Sequence, residues 1–206
     1  RDEVLRFSAD LEANLIILQN ELIYRSYRPS RWREFYVFDP KKRLIMAPCF
    51  RDRVVHHALV GVIEPIFDAR FIYDSYACRR GKGTHAAADR LTHFLRSARE
   101  RWSRVYCLEA DVAQYFPSIR HEILLGLVRQ RISDEGVLWL LETILGSTFG
   151  DREPRVGVPI GALTSQLMAN VYLDRLDQFV KHELRARYYL RYMDDFLLLH
   201  GSKAEL

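Results

Sequence analysis

No apolar run in this sequence approaches the roughly 18–20 residues that a membrane-crossing helix needs, so no membrane partner is expected. Cysteine is scarce. Cys49, Cys78 and Cys107 lie far apart and form no C-x-x-C pair, which argues against structural zinc and for a reduced, cytosolic setting. Internal repeats and low-complexity tracts are absent. No signal peptide precedes Arg1, and the chain reads as a piece of a longer one, trimmed at both ends. A strong charge of one sign is missing too. Lys and Arg number 31 against 27 Asp and Glu, a net +4 with a pI near 9.0, which is compatible with a polyanionic partner without requiring one. What is present is an ordinary globular balance. The 206 residues are 49% hydrophobic and 28% charged, enough for one large domain or two small subdomains on a shared core.

The hydrophobic spacing predicts helices and antiparallel hairpins without regular βαβ alternation, an α+β chain. Val4, Leu11, Leu15, Leu18, Leu22 and Ile23 recur at helical spacing over 3–24. Arg33–Phe38 and Arg43–Met46 read as paired strands around the turn Asp39-Pro40-Lys41-Lys42. Asp52 is placed to cap a helix running to Phe67, and residues 72–83 form a basic loop before a helix from Thr84 to about Glu100. Arg104–Ala110 is a strand ending at Asp111. Helices follow over His121–Arg131 and Glu135–Phe149, then a loop punctuated by Gly150, Pro154, Gly157, Pro159 and Gly161, and a helix from Leu163 to about Leu184. The strands Tyr188–Met193 and Phe196–His200 close the chain.

That last hairpin poses a chemical question. Its turn, in Leu190-Arg191-Tyr192-Met193-Asp194-Asp195-Phe196, holds two adjacent carboxylates between apolar runs. A bare Asp-Asp pair is more often a solvated hairpin tip. Here Leu190, Tyr192, Phe196 and Leu198 alternate as a strand core does, so the turn is rigidly held. Like charges a few Å apart in such a place repel by several kcal/mol, and a divalent cation removes that cost. Mg²⁺ takes one or two carboxylates plus substrate phosphates. A further ligand is available at Asp111, where another apolar strand stops. Its other reading, as a helix N-cap before Pro117, fits less well because it lies several residues ahead of the helix. Two neighbouring strands would bring Asp111 beside Asp194 and Asp195. Three carboxylates could then hold two Mg²⁺ ions about 3.5–4 Å apart.

Tyr192-Met193-Asp194-Asp195 resembles the YxDD box of reverse transcriptases. Asp111-Val112-Ala113-Gln114-Tyr115-Phe116 is similar to their first carboxylate motif, D-x-x-x-x-[FY], and Gly157–Gln166 (GVPIGALTSQ) to the loop-helix motif between them. Lys41–Pro48, Arg51-Asp52-Arg53 and Tyr76–Thr84 extend the resemblance upstream. The order and spacing of three motifs are far more specific than any one. The resemblance implies a right-hand polymerase without its thumb. Residues 1–103 would be mainly fingers and 104–206 mainly palm, an antiparallel sheet backed by helices, with the loop-helix motif at 157–184. It implies an RNA template, a DNA or RNA primer and dNTPs, in a bacterial or phage-encoded cytoplasmic enzyme. It also implies catalytic Asp111, Asp194 and Asp195 with two Mg²⁺ ions, Mn²⁺ as a substitute, and Val112 as a further metal position.

Other residues take roles by the same resemblance. Lys41 and Arg43 would grip the triphosphate, a point charge and a planar fork, although a Lys-Lys-Arg turn alone reads as solvated. Arg51, Arg53, Arg79, Arg80 and Lys82 would meet the template or primer backbone, where placed cations suffice; Arg53 could equally pair with an internal acid. Phe116 matches the steric gate against a 2′-hydroxyl; an isolated Phe would read as core, and only its offset from Asp111 lifts it. Gly161 would allow close backbone approach to the nucleotide.

The loop-helix motif departs from the common Gln-Gly-x-x-x-Ser-Pro. Ile160 replaces the Gln and Gln166 the Pro, so one hydrogen-bonding check on the nascent base pair is lost. This pattern resembles diversity-generating retroelement enzymes, which copy RNA error-prone at adenines with a small helical accessory protein. Asn170, Tyr172 and Asp177 continue the helix beside core Val171, Leu173 and Leu176, with Asn170 either bracing the metal-bearing turn or lying at the surface. His56-His57 has no Cys or acidic partner at ligand spacing, so packing and solvent exposure are expected. Two rivals stay open: a group II intron-like or defence-associated polymerase on the same fold, and a catalytically idle nucleic-acid-binding module.

Overall fold

The computed structural model describes residues 2–38, 41–149 and 155–206. Asp39, Pro40, Gly150 and Pro154, which the turn and loop expectations invoke, lie outside them. The chain forms two compact units, Arg1–Ile66 with Phe116–Met168, and Phe67–Tyr115 with Ala169–Leu206.

In the first unit, the helix expected over 3–24 is two, α1 (Asp2–Ala9) and α2 (Leu11–Ile23). The break falls at Asp10, a residue type that favours helix ends over interiors. Asn14 bridges it, its Nδ2 donating to the Phe7 carbonyl at 3.0 Å. Strands β1 (Arg33–Val37) and β2 (Arg43–Ala47) pair antiparallel, Arg33 opposite Ala47 and Val37 opposite Arg43. The ribbon is mostly exposed and roots its base through Trp32 and Met46, which pack on Ala162. Helix α3 (Phe50–Asp68) carries Asp52 in its first turn. Asp52 does not cap that helix. It is 1% exposed and accepts hydrogen bonds from the Tyr27 hydroxyl and the Ser30 amide, both at 2.8 Å.

In the second unit, α4 (Thr84–Arg101) precedes β3 (Tyr106–Asp111), which ends where a short helix α5 (Tyr115–Ser118) soon begins. The chain then builds α6 (His121–Arg129) and α7 (Glu135–Phe149) of the first unit. Their apolar faces bury Leu124, Val128, Leu138, Leu141, Ile144 and Leu145. Helix α8 (Leu163–Gln178) runs on as a π-helical turn through Glu183 and leads to β4 (Tyr188–Tyr192) and β5 (Asp195–His200).

These strands form an antiparallel sheet in the order β3-β5-β4. On one face, α4 lays Ala87, Phe94 and Ala98 on Tyr188, Leu190 and Leu199. On the other, Tyr189, Phe196 and Leu198 meet Ile72 and Val180. Leu190 and Leu198, read from sequence as one alternating set, therefore point to opposite faces. Leu190 pairs with Leu197, so each strand of the hairpin has two buried faces rather than one.

Candidate active site

The β4–β5 turn is one residue earlier than the sequence suggested. Its two loop residues are Met193 and Asp194, while Asp195 is already the first residue of β5. That shift matters because it puts Asp195 in the ladder, directly opposite Asp111 at the end of β3. The Val112 amide donates to the Asp194 carbonyl at 3.3 Å. Antiparallel pairs alternate, so Asp111 and Asp195 form a non-hydrogen-bonded pair, with Cα atoms about 4.5 Å apart and side chains on one face. Both residues are exposed. Tyr192 sits opposite Asp195 on its other side, its hydroxyl 3.0 Å from Thr84 Oγ1.

The geometry is that of an edge pair with a third carboxylate on the adjoining turn. Among the described residues, no three His, Cys, Asp or Glu side chains are grouped to hold one metal ion. Asp111 and Asp195 form an open pair, with Asp194 on the adjoining turn. Such a pair fits a hard divalent cation whose remaining positions are filled by water and phosphate oxygens, the usual Mg²⁺ arrangement.

The turn is strained and braced. Met193 has φ +58°, the sign that two-residue hairpin turns demand at that place and that non-glycine residues adopt at a cost of about 1–3 kcal/mol. Arg191, fully buried in β4, donates from Nη1 to the Met193 carbonyl at 2.7 Å. The same guanidinium pairs with Asp177 of α8, Nη2 to Oδ2 at 2.7 Å, with both side chains at 0% exposure. It also reaches Asn170 Oδ1 at 3.1 Å and Ser75 Oγ at 3.2 Å. Asn170 is thus a buried brace rather than a surface amide, and its Nδ2 holds the Ala77 carbonyl at 2.9 Å. Sequence spacing does not mark Arg191 as a site residue. Its one signal was a charge among apolar strand neighbours, Leu190 and Tyr192. Tyr115, four residues past Asp111, is buried and donates its hydroxyl to the Ala169 carbonyl at 2.5 Å, and burial pushes that hydroxyl well above its usual range.

The basic residues divide sharply. Arg79 is spent inside its own unit. Its Nε donates to Asp68 at 2.6 Å, its Nη1 to the carbonyls of Ile72 and Ser75, and it lies over the Phe71 ring. Arg51 pairs with Glu21 and Asp52. Of the cations expected at a nucleic-acid backbone, these two are engaged inside the protein, Arg79 through all three nitrogens and Arg51 through both terminal ones. Arg53 is exposed and stacks on Phe50. Arg80 is exposed, and Lys82 lies 3.5 Å from the Tyr73 ring centroid while donating to the Tyr73 carbonyl at 2.7 Å.

In the first unit, Lys41 and Arg43 are exposed at the ribbon turn and the start of β2. The loop before α8 is stitched to two neighbours. The Met46 amide donates to the Ile160 carbonyl at 2.8 Å, and the Val158 amide to the Phe116 carbonyl at 3.0 Å. Ile160, Gly161 and the strand of Arg43 therefore share one corner, with half-buried Phe116 tied to the same loop and Gln166 in the first turn of α8. Gly161 has φ +124°, and a Cβ there would lie 2.9 Å from both Ile45 Cγ2 and the Met46 carbonyl oxygen. Within the chain, the close approach this glycine permits is to β2. His56, of α3, is 1% exposed and holds Thr164 Oγ1 at 2.9 Å through Nδ1, while His57 is exposed. Burial lowers the His56 pKa to about 4.

None of the described helices is long and apolar enough to cross a membrane. Residues 38–206 match the family model described as "Reverse transcriptase (RNA-dependent DNA polymerase)". The chain is 33% identical over 181 residues to Protein YkfC of Escherichia coli, covering 85% of this chain and 47% of that one. It is 27% identical over 162 residues to the group II intron-encoded protein LtrA of Lactococcus lactis, covering 75% of this chain and 26% of the relative. It thus spans less than half the length of either. Among solved structures, telomerase from Candida tropicalis bound to a fragment of telomeric RNA superposes with TM-score 0.60 at 11% identity, over 92% of this chain and 40% of that one. A partial Cas6-RT-Cas1–Cas2 complex gives 0.54 at 20% identity, over 98% and 36%. Likeness at that identity speaks for the fold alone.

Proposed function

Because this chain belongs to the reverse transcriptase (RNA-dependent DNA polymerase) family, we propose that it is the fingers and palm of an enzyme that copies RNA into DNA. The observation that carries this reading is the placement of Asp111 opposite Asp195 at the end of a sheet whose turn supplies Asp194. Two exposed carboxylates in that register repel each other and are tolerable where a cation binds between them. In the reaction, the primer 3′-oxygen attacks the α-phosphorus of a dNTP, its proton departs and pyrophosphate leaves. Two Mg²⁺ ions, or Mn²⁺ in their place, would lower the pKa of the attacking hydroxyl and offset charge on the leaving group. Asp111 and Asp195 hold that cation site, with Asp194 completing it from the turn and Val112 from the residue after β3. Lys41 and Arg43 meet the triphosphate, and Phe116 excludes a 2′-hydroxyl.

The test is primer extension by the full-length protein on homopolymer RNA with Mg²⁺, beside Asp195→Asn. DNA product that disappears in the variant supports the reading. Product retained in the variant removes the metal assignment. Product formed without template favours a defence-associated polymerase, and no product even with an accessory protein favours a nucleic-acid-binding module.

Two finer readings differ on one residue. Ile160 offers no polar side-chain group, which supports error-prone copying of the diversity-generating retroelement kind, with a small helical accessory protein in a bacterial or phage cytoplasm. The similarity to LtrA supports an intron-encoded enzyme instead. Misincorporation opposite template adenine, measured for wild type and Ile160→Gln, separates them. Errors concentrated at adenine and reduced by the substitution favour the first, and an even, unchanged spectrum the second.

A further inference from the structure

We propose that Arg191 is the positioning residue of the metal-holding turn, and that its hold on the Met193 carbonyl sets the turn's affinity for a divalent cation. The inference rests on the reading of Asp111, Asp194 and Asp195 as metal-holding carboxylates and deepens it.

The donor count is the argument. A guanidinium has five N–H groups in a fixed fork. Here Nε and Nη2 meet the two Asp177 oxygens at 2.8 and 2.7 Å, Nη2 also reaches Ser75 Oγ, and Nη1 meets Asn170 Oδ1 and the Met193 carbonyl. Every donor is used, and four of the five donors serve to fix the fork. Asp177 and Asn170 come from one face of α8, seven residues apart. Ser75 comes from the segment that bridges the outer edge of β4 beside Arg191. Only the fifth donor touches the turn, and it lands on the one residue there with a positive φ. A carbonyl held in place at Met193 fixes the peptide that leads into Asp194.

The side of the sheet matters as well. Arg191 pairs with Phe196, whereas Tyr192 pairs with Asp195. Arg191 therefore lies on the opposite face from Asp111 and Asp195. Its charge is neutralised by Asp177 and stays out of the cation's place, so its effect is geometric. Stability alone would not select this arrangement, since apolar packing of similar volume serves a core as well as a buried ion pair. Lysine cannot replace it, because a compact ammonium has three donors and no fork.

The test uses the full-length protein on an RNA template with a dideoxy-terminated primer and the matching dNTP. Mn²⁺ is titrated and free ion read by electron paramagnetic resonance, with folding followed by circular dichroism. Arg191→Lys raises the Mn²⁺ Kd about 10-fold, the lower end of the range for losing an outer support of a metal site, since its hold is one residue removed from Asp194. Tyr189→Phe, which removes a bond to Asp177 but leaves the Arg191–Met193 bond in place, lowers the melting temperature and leaves that Kd unchanged. A folded Arg191→Lys variant that binds Mn²⁺ like wild type overturns the inference while leaving the catalytic reading intact. Should that variant not fold, Asn170→Ala decides by the same Kd: a rise supports the proposal and an unchanged value overturns it. Asp195→Asn is the separate control. If it binds Mn²⁺ like wild type, the catalytic reading itself fails and the inference falls with it.

Discussion

Asp111 and Asp195 are each ordinary strand residues until the ladder sets them face to face. Like charges directly opposite in a sheet cost about 0.2–1 kcal/mol. Asp111→Asn should therefore stabilise the metal-free protein, raising its melting temperature by about 1–3 °C. The same variant should lose both DNA synthesis and the stabilisation that Mg²⁺ gives wild type. A fall in metal-free stability would show that the pair is not in conflict. The arginines make a second residue-scale contrast. Arg79 is enclosed by Asp68 and carbonyl oxygens, whereas Arg53 is exposed. In a salt titration of template binding, Arg53→Ala should lower the slope of log K against log salt by about 1. Arg79→Ala should leave the slope alone and reduce thermal stability, because it strands Asp68 and two carbonyls. An equal drop in slope for both variants would make Arg79 a backbone contact as well. Sequence offers both as basic residues in polar stretches. Only the chain's return past Asp68 and Ile72 tells them apart.

At the scale of elements, the loop before α8 owes its place to the exposed ribbon. Gly161→Ala must fit a Cβ at 2.9 Å from the Met46 carbonyl oxygen with φ at +124°. The expected cost is about 1–3 kcal/mol, seen as a lower denaturation midpoint, with faster hydrogen exchange at the Met46 amide. Exchange at Met46 unchanged from wild type would mean that β2 does not hold the loop. Most elements were legible in the sequence, because apolar spacing over α3, α4, α7 and the strands is strong and local. The carboxylates were legible too, since each ends an apolar strand. Three features were not. The break at Asp10 lies inside one unbroken helical pattern. The turn at Met193-Asp194 depends on a positive φ in a methionine, against that residue's preference. The brace of Ser75, Asn170, Asp177 and Arg191 joins positions up to 116 residues apart, which no local spacing reveals.

At the scale of the whole chain, the two units are interleaved, with crossings after Ile66, Tyr115 and Met168. Discontinuous units hide from a linear reading, because no composition shift or linker marks where one yields to the other. They also let stability be tested unit by unit. His56 belongs to the first unit, buried beside Trp32 and holding Thr164. Its pKa is about 4 when folded against 6.5 for the free side chain, the fall being due first to burial. Between those values the unfolded chain binds the proton and the folded one does not, so stability rises with pH. The contribution is fully present above pH 6.5 and is lost as pH falls towards 4. Between pH 6.5 and 5 the first unit should lose about 2 kcal/mol. Native-state hydrogen exchange should show this at amides of α3 from Phe50 to Ile66, and His56→Gln should flatten the dependence. The same slope in that variant would assign the acid sensitivity to another group, and no slope in wild type would mean that His56 keeps its proton when buried.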